Sequence, residues 1–205
     1  MTSTGKIGIA LAAALIVATG STAFASPVGN ETGPNLVANG SFESTSFIAG
    51  SGWTASGFIS EGFDYFVDTN PADAQDGTHS FAGGGIGAPG YISQDIATQV
   101  GASYNIHLWL ANLSGFASDT EIQVLWGGNV VYSATDILGF GYSEIVIDPM
   151  ATSTITELRI GLRDDAFFLN IDNISVFQTS AVPEPATLAL LGLGLAGLGA
   201  LRRRP

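Results

Sequence analysis

The sequence contains no cysteine. That one absence excludes disulfide bonds, thiol catalysis and thiolate metal centres. Basic residues are nearly as scarce. Of the six, Lys6 and Arg202, Arg203 and Arg204 sit at the two ends, which leaves Arg159 and Arg163 for residues 26–180. Seventeen acids share that segment, so its net charge is −15, and it holds no lysine. A surface so acidic repels nucleic-acid phosphates and anionic lipid headgroups. It suits solubility outside the cell, or the binding of a hard cation such as Ca2+. The two histidines, His79 and His107, are too few and too far apart for a recognisable metal triad. There is no G-x-S-x-G elbow, and no glycine-rich phosphate loop follows a strand. A non-enzymatic role is therefore expected. A glycoside hydrolase built on paired carboxylates is the enzymatic alternative, and an abundance of acids is not itself evidence for it.

Long apolar runs are missing from the middle of the chain and occur only at its ends. Lys6, the apolar stretch from Ile7 to Val17 and the small-x-small triplet Ala23-Phe24-Ala25 describe a signal peptide over residues 1–25. At the other end, Pro183-Glu184-Pro185 precedes an uncharged run over 186–201, which Arg202, Arg203 and Arg204 close. As a helix that run reaches about 24 Å, slightly less than a bilayer core of about 30 Å. Bilayer thinning and arginine snorkelling close the gap. The arginines stay on the cytoplasmic side, so residues before Pro183 are expected outside.

This tail resembles the PEP-CTERM sorting signal of bacterial surface proteins, on the order of its proline–glutamate–proline segment, apolar helix and arginine cluster. The resemblance implies an exosortase-type membrane enzyme as processing partner, only transient membrane insertion, and a final location at the cell surface or outside it. A lasting tail anchor is the competing reading; the proline entry and the glycines at 192, 194, 197 and 199 favour a processed signal.

Residues 26–180 read as the exported domain, and they read as all-β. Strands are predicted near 36–38, 52–55, 63–68, 79–82, 91–97, 104–112, 121–126, 130–133, 143–147, 155–162 and 168–177. Gly127-Gly128 marks a hairpin, since both glycines accept positive φ. Many short strands separated by turn residues indicate an antiparallel sandwich or jelly roll. Trp53 and the pair Phe167-Phe168 read as core. Phe58, Phe63, Tyr65 and Phe66 read as an edge strand, or as a loop over a ligand.

Three short motifs carry a second resemblance. Asn35 to Glu43 with Gly52-Trp53, then Asp76-Gly77-Thr78-His79-Ser80, then Ile171-Asp172-Asn173-Ile174-Ser175-Val176 occur in the order found in galactose-binding-like jelly rolls, among them many carbohydrate-binding modules. The resemblance implies adjacent first and last strands. It also implies a structural Ca2+ held by Glu43 and Asp172 with backbone carbonyls, since two neighbouring carboxylates repel unless a cation or proton lies between them; Asp76 is a third candidate, though Asp-Gly is already explained by a turn. The residue-level alternative is that Asp172 and Asn173 bond locally to backbone.

Alternation along 104–112 sends Tyr104, Ile106, Leu108 and Leu110 to the core and Asn105, His107 and Trp109 to the other face. If the strands share a sheet, Gln123, Arg159 and Arg163 join them in one ligand-binding face. An aromatic ring among polar groups suits a sugar, whose C–H face packs on the ring while its hydroxyls need partners. The plainer alternative is that Trp109 closes a core edge. The function expected is an exported surface or extracellular-matrix protein with a glycan-binding-like sandwich, whose partner is extracellular polysaccharide. The alternative is a structural matrix protein with no specific ligand.

Overall fold

The computed structural model describes residues 31–44, 51–115, 119–165 and 167–179. The expected signal peptide and the sorting segment lie outside them. Among the described residues there are eleven strands, one 3-10 turn at Pro71–Asp73, and no helix long and apolar enough to cross a membrane.

The strands are β1 (Glu31–Thr32), β2 (Thr54–Ser56), β3 (Tyr65–Asp68), β4 (Ser80–Gly83), β5 (Gly90–Ala97), β6 (Tyr104–Asn112), β7 (Thr120–Trp126), β8 (Asn129–Thr135), β9 (Phe140–Ile147), β10 (Ile155–Asp164) and β11 (Leu169–Thr179). They form two antiparallel sheets. Sheet I runs β3-β4-β11-β6-β9, with β1 also on β11; sheet II runs β2-β5-β10-β7-β8. The protein is an antiparallel β-sandwich, and its first and last strands are paired through Glu31–Thr179 and Thr32–Gln178.

Period-two alternation builds the core between the sheets. From sheet I come Tyr104, Ile106, Leu108, Ile171, Ile174 and Val176; from sheet II come Ile92, Ile96, Ile122, Val124, Leu158, Ile160 and Leu162. Trp53 is core, as expected, and stacks near Phe42, which in turn meets Phe81 (5.8 and 5.5 Å between centroids). The β7–β8 turn is Gly127-Gly128 with φ of +56° and +81°, the primed hairpin geometry. In β11 a bulge sets Asn173 and Ile174 against Leu108 alone, with Asn173 at φ +46°. Without that extra residue Ile174 and Val176 would turn outward; with it, both join Ile171 in the core.

Three elements differ from expectation. Residues 36–38 run beside β11 through Leu36 N donating to Val176 O (2.9 Å), but form no strand. The peptide groups of Ala38 are instead engaged by the Gln94 carboxamide, at 2.7 and 3.1 Å. The 63–68 strand begins only at Tyr65, because Asp64 turns back to cap the amides of Ile59 and Ser60. Phe167 is not core, being 40% exposed, and Phe168, half-buried against Phe66, lies outside the core cluster as well.

Candidate functional site

The three weak sequence motifs meet in space. Asn35 bridges the first motif to the last: its Oδ1 accepts from Val37 N and Val176 N, both at 3.0 Å. Ile174 N donates to Gly40 O (2.9 Å), and a Cβ at position 40 would collide with the Ile174 carbonyl. Trp53 Nε1 donates to Asn39 O (3.1 Å). The middle motif is then clasped from two sides. Glu43 Oε1 accepts from Thr78 N (2.7 Å) and His79 N (2.9 Å), and its Oε2 meets Thr78 Oγ1 (2.9 Å) and His79 Nδ1 (3.1 Å). Asp172 Oδ2 accepts from Gln75 N (2.7 Å) and Asp76 N (2.9 Å), and its Oδ1 from Asn173 N (2.6 Å).

These contacts tune the two acids differently. The Thr78 amide, helped by the Thr78 hydroxyl and by His79 against a desolvation cost, holds the Glu43 carboxyl down at about 2. Burial pushes Asp172 upward, against the pull of its amide donors. Glu43 and Asp172 reach the same loop, one on each side of it. A carboxylate offers about four lone-pair positions. Glu43 has four hydrogen-bond contacts and Asp172 three, so one position remains across the pair. Among the described residues no group of three or more His, Asp or Glu side chains stands ready to hold a metal. Hydrogen bonds thus clasp the 75–79 loop between the two carboxylates.

The expected ligand face divides in two. Asn105, His107 and Trp109 lie on β6 in sheet I, whereas Gln123 lies on β7 and Arg159 and Arg163 on β10 in sheet II. The strands do not share a sheet, so these residues occupy opposite outer faces of the sandwich. Alternation specifies a face within each strand; it carries no information about which sheet the strand joins.

On the sheet I face, Trp109 stands opposite Asp172 on β11 and Glu144 on β9, and His107 stands opposite Ser175. His107 is held between two carboxylates, Nε2 to Glu31 Oε1 at 2.7 Å and Nδ1 to Glu144 Oε1 at 2.9 Å. Phe177 packs edge-on to its ring at 6.3 Å. His107, Trp109, Glu31, Glu144, Ser175 and Phe177 surround a shallow polar cavity of about 140 Å3, with Asn173 at its border. Asn105 is only 2% exposed and opposes Phe177, so it supports this face without presenting its amide to a ligand.

On the sheet II face the organising residue is Tyr91, which sequence reasoning passed over. Its cross-strand neighbour is Gly161, and a Cβ there would run into the Tyr91 ring. The ring leans across the space a side chain would fill, and its hydroxyl donates to Gln123 Oε1 (3.1 Å). The Arg159 guanidinium stacks 4.3 Å from the ring centroid and reaches Ser56 Oγ at 3.3 Å. A glycine in mid-strand opposite an aromatic was the available signal. Arg163 is drawn away from any ligand by Asp165 (2.5 Å) and Asp119 (3.3 Å), which hold its pKa up. Beside this face, Leu36, Thr54, Ser93, Asp95 and Glu157 line an open cleft of about 650 Å3.

Pro183, Glu184, Pro185, Arg202, Arg203 and Arg204 lie outside the described residues. Residues 181–204 match the PEP-CTERM protein-sorting motif, so the chain carries the C-terminal mark of an exported, sorted protein. No curated protein matches the sequence. In fold, the chain is similar to TmCBM61, solved in complex with β-1,4-galactotriose (18% identity, 71% of this chain and 99% of that one, TM-score 0.53). It is similar to the xylan-binding family 22 domain from Paenibacillus barcinonensis (16% identity, 74% and 99%, TM-score 0.52). A further family 22 xylan-binding domain aligns at 15% identity over 77% of this chain and 99% of its own length, with a TM-score of 0.51. The fold is that of carbohydrate-binding-module jelly rolls.

Proposed function

We propose that this chain is exported, processed near Pro183 by an exosortase-type membrane enzyme, and left at the cell surface. There its sandwich would bind extracellular polysaccharide through the outer face of sheet I without catalysing a reaction. The observation that carries the binding reading is a second ring on that face. Trp109 and Phe177 lie four strand positions apart by register, about 13 Å at about 3.3 Å per residue. His107, Glu31, Glu144 and Ser175 provide polar partners between them. Two rings separated by hydrogen-bonding groups suit a short run of sugar units better than one ring would. The fold likeness to a module solved with β-1,4-galactotriose and to xylan-binding domains supports the class of ligand and not its identity.

A purely structural, acidic surface protein is the second reading, and the net charge of −15 over residues 26–180 favours it. Affinity electrophoresis of the full chain against the producing cell's own polysaccharide separates the two. Binding should weaken about tenfold in Trp109→Ala, a change of about 1.4 kcal/mol. Unaltered migration of both proteins would leave the structural reading. Intact mass of the native protein tests the processing step, because survival of residues beyond Pro183 would remove it.

A further inference from the structure

Asp164 is the last residue of β10 and sits on its core side, in line with Leu158, Ile160 and Leu162. It is 0% exposed, and neither carboxylate oxygen has a hydrogen-bond partner among the described residues. The other buried carboxylates differ. Asp64, 1% exposed, caps the amides of Ile59 and Ser60, and Asp172 accepts from three amides. Burial raises the Asp164 carboxyl to about 6; Asp165 adds to the rise and the nearby Ser114 hydroxyl offsets part of it. At neutral pH the group is thus mostly ionised, in a place where an unpaired charge is costly.

Asp164 and Asp64 together line a cavity of about 140 Å3 at the sandwich end. Its remaining walls are Gly84, Ile86, Phe63, Phe167 and Phe168. The rim is unusually apolar for an exposed loop cluster: Phe63 is 60%, Ile86 54% and Phe167 40% exposed. Local hydrogen bonds hold the frame. Gly84 N donates to Asp64 O (2.8 Å), and Phe167 N donates to Asp164 O (3.1 Å). A Cβ on Gly84 would strike the Phe167 carbonyl, so the two loops meet only because position 84 is glycine.

Among the described residues no cation is free to balance Asp164. Residues 26–180 hold no lysine, Arg159 is stacked on Tyr91, and Arg163 is bonded to Asp165 and Asp119. The walls discriminate between kinds of cation. A hard divalent ion seeks six to eight oxygen ligands, and here the lining side chains offer two carboxylates among hydrocarbon. An organic ammonium group needs less: its N–H donors meet the carboxylates, and its charge and C–H groups lie against aromatic faces. We infer that the cavity formed by Asp164, Asp64 and the rings of Phe63, Phe167 and Phe168 is a binding site for an organic ammonium group. Such a group is carried either by a free amine or by an amino-sugar unit of a polysaccharide. The second source rests on the glycan-binding reading above; the site itself does not.

The test is calorimetric titration and thermal melting of the full chain with glucosamine, N-acetylglucosamine, methylammonium and calcium chloride. The ammonium compounds should bind and raise the melting temperature, and N-acetylglucosamine, whose nitrogen carries no charge, should not. Equal affinity for glucosamine and methylammonium would identify a free amine as sufficient, and a preference for glucosamine would identify the amino sugar. Asp164→Asn should weaken ammonium binding at least tenfold while the unliganded variant melts no lower than the parent. Phe167→Leu, which keeps the apolar volume and loses the ring, should weaken it too. Trp109→Ala, altered on the other proposed surface, should leave methylammonium binding unchanged. No response to either ammonium compound, equal binding of N-acetylglucosamine, a response to calcium alone, or full affinity in Asp164→Asn would each overturn the inference.

Discussion

Strand β4, four residues long, runs from one solution of a physical problem to another. Just before it, Glu43 is met by amide and hydroxyl donors of Thr78 and His79, and Asp172 by the amides of Gln75, Asp76 and Asn173. Just after it, near Gly84, Asp164 is buried with neither oxygen in a hydrogen bond and only the nearby Ser114 hydroxyl to offset its burial. Satisfied carboxylates hold a fold together, whereas unsatisfied ones work against it unless something arrives to meet them. The first region therefore reads as architecture and the second as a place reserved for a ligand.

That contrast has measurable consequences of opposite sign. The largest belongs to Asp172→Ala, which strips acceptors from three amides and should cost about 3 kcal/mol in urea unfolding at pH 7. An effect below about 1 kcal/mol would mean that the clasp is not what fixes the loop. Asp164→Asn should act the other way and stabilise the unliganded protein by about 2 kcal/mol, since it removes an ionised group whose pKa is raised by burial. Loss of stability in that variant would mean that Asp164 has a partner. Gly77→Ala should cost about 1 kcal/mol, because position 77 has φ +66° and a Cβ would press into the Glu43 carboxylate. The pH profile holds the smallest effect, that of Glu43, beside a larger limb from Asp164. Glu43 has a folded pKa near 2 against 4.5 unfolded, so its contribution is present above pH 4.5 and fades as pH falls toward 2. It is exposed enough that solvent screening keeps it under about 1 kcal/mol. Asp164 has a raised folded pKa, so its protonated form favours the folded state at low pH, and that advantage is lost as pH rises from about 4 through about 6. Asp164→Asn should flatten this limb and leave the Glu43 limb in place.

Much of the fold was legible in sequence because period-two alternation is a local signal. Residues 104–112 form β6 with the expected faces, and Gly127-Gly128 turns where it should. The order of three short motifs was also informative, since each becomes meaningful only where Asn35, Gly40, Asp76 and Asp172 converge. What remained hidden is non-local. Nothing along the chain announces that β6 and β10 belong to different sheets, and so the composite face of Trp109 with Arg159 does not form. Tyr91 was overlooked because its role is defined by Gly161, seventy residues away in sequence. Phe167 looks like core because hydrophobic residues beside a strand usually are, yet it stands 40% exposed at the mouth of an end cavity.

The position of β11 bears on how the molecule would withstand traction. It lies inside sheet I, flanked by β6 on one edge and by β4 and β1 on the other, and Thr179 is followed within two residues by the sorting motif. A pull on the tail is thus a pull along an interior strand. Its ladders must slide together in shear; they cannot unzip one rung at a time, as they could for a strand at the margin.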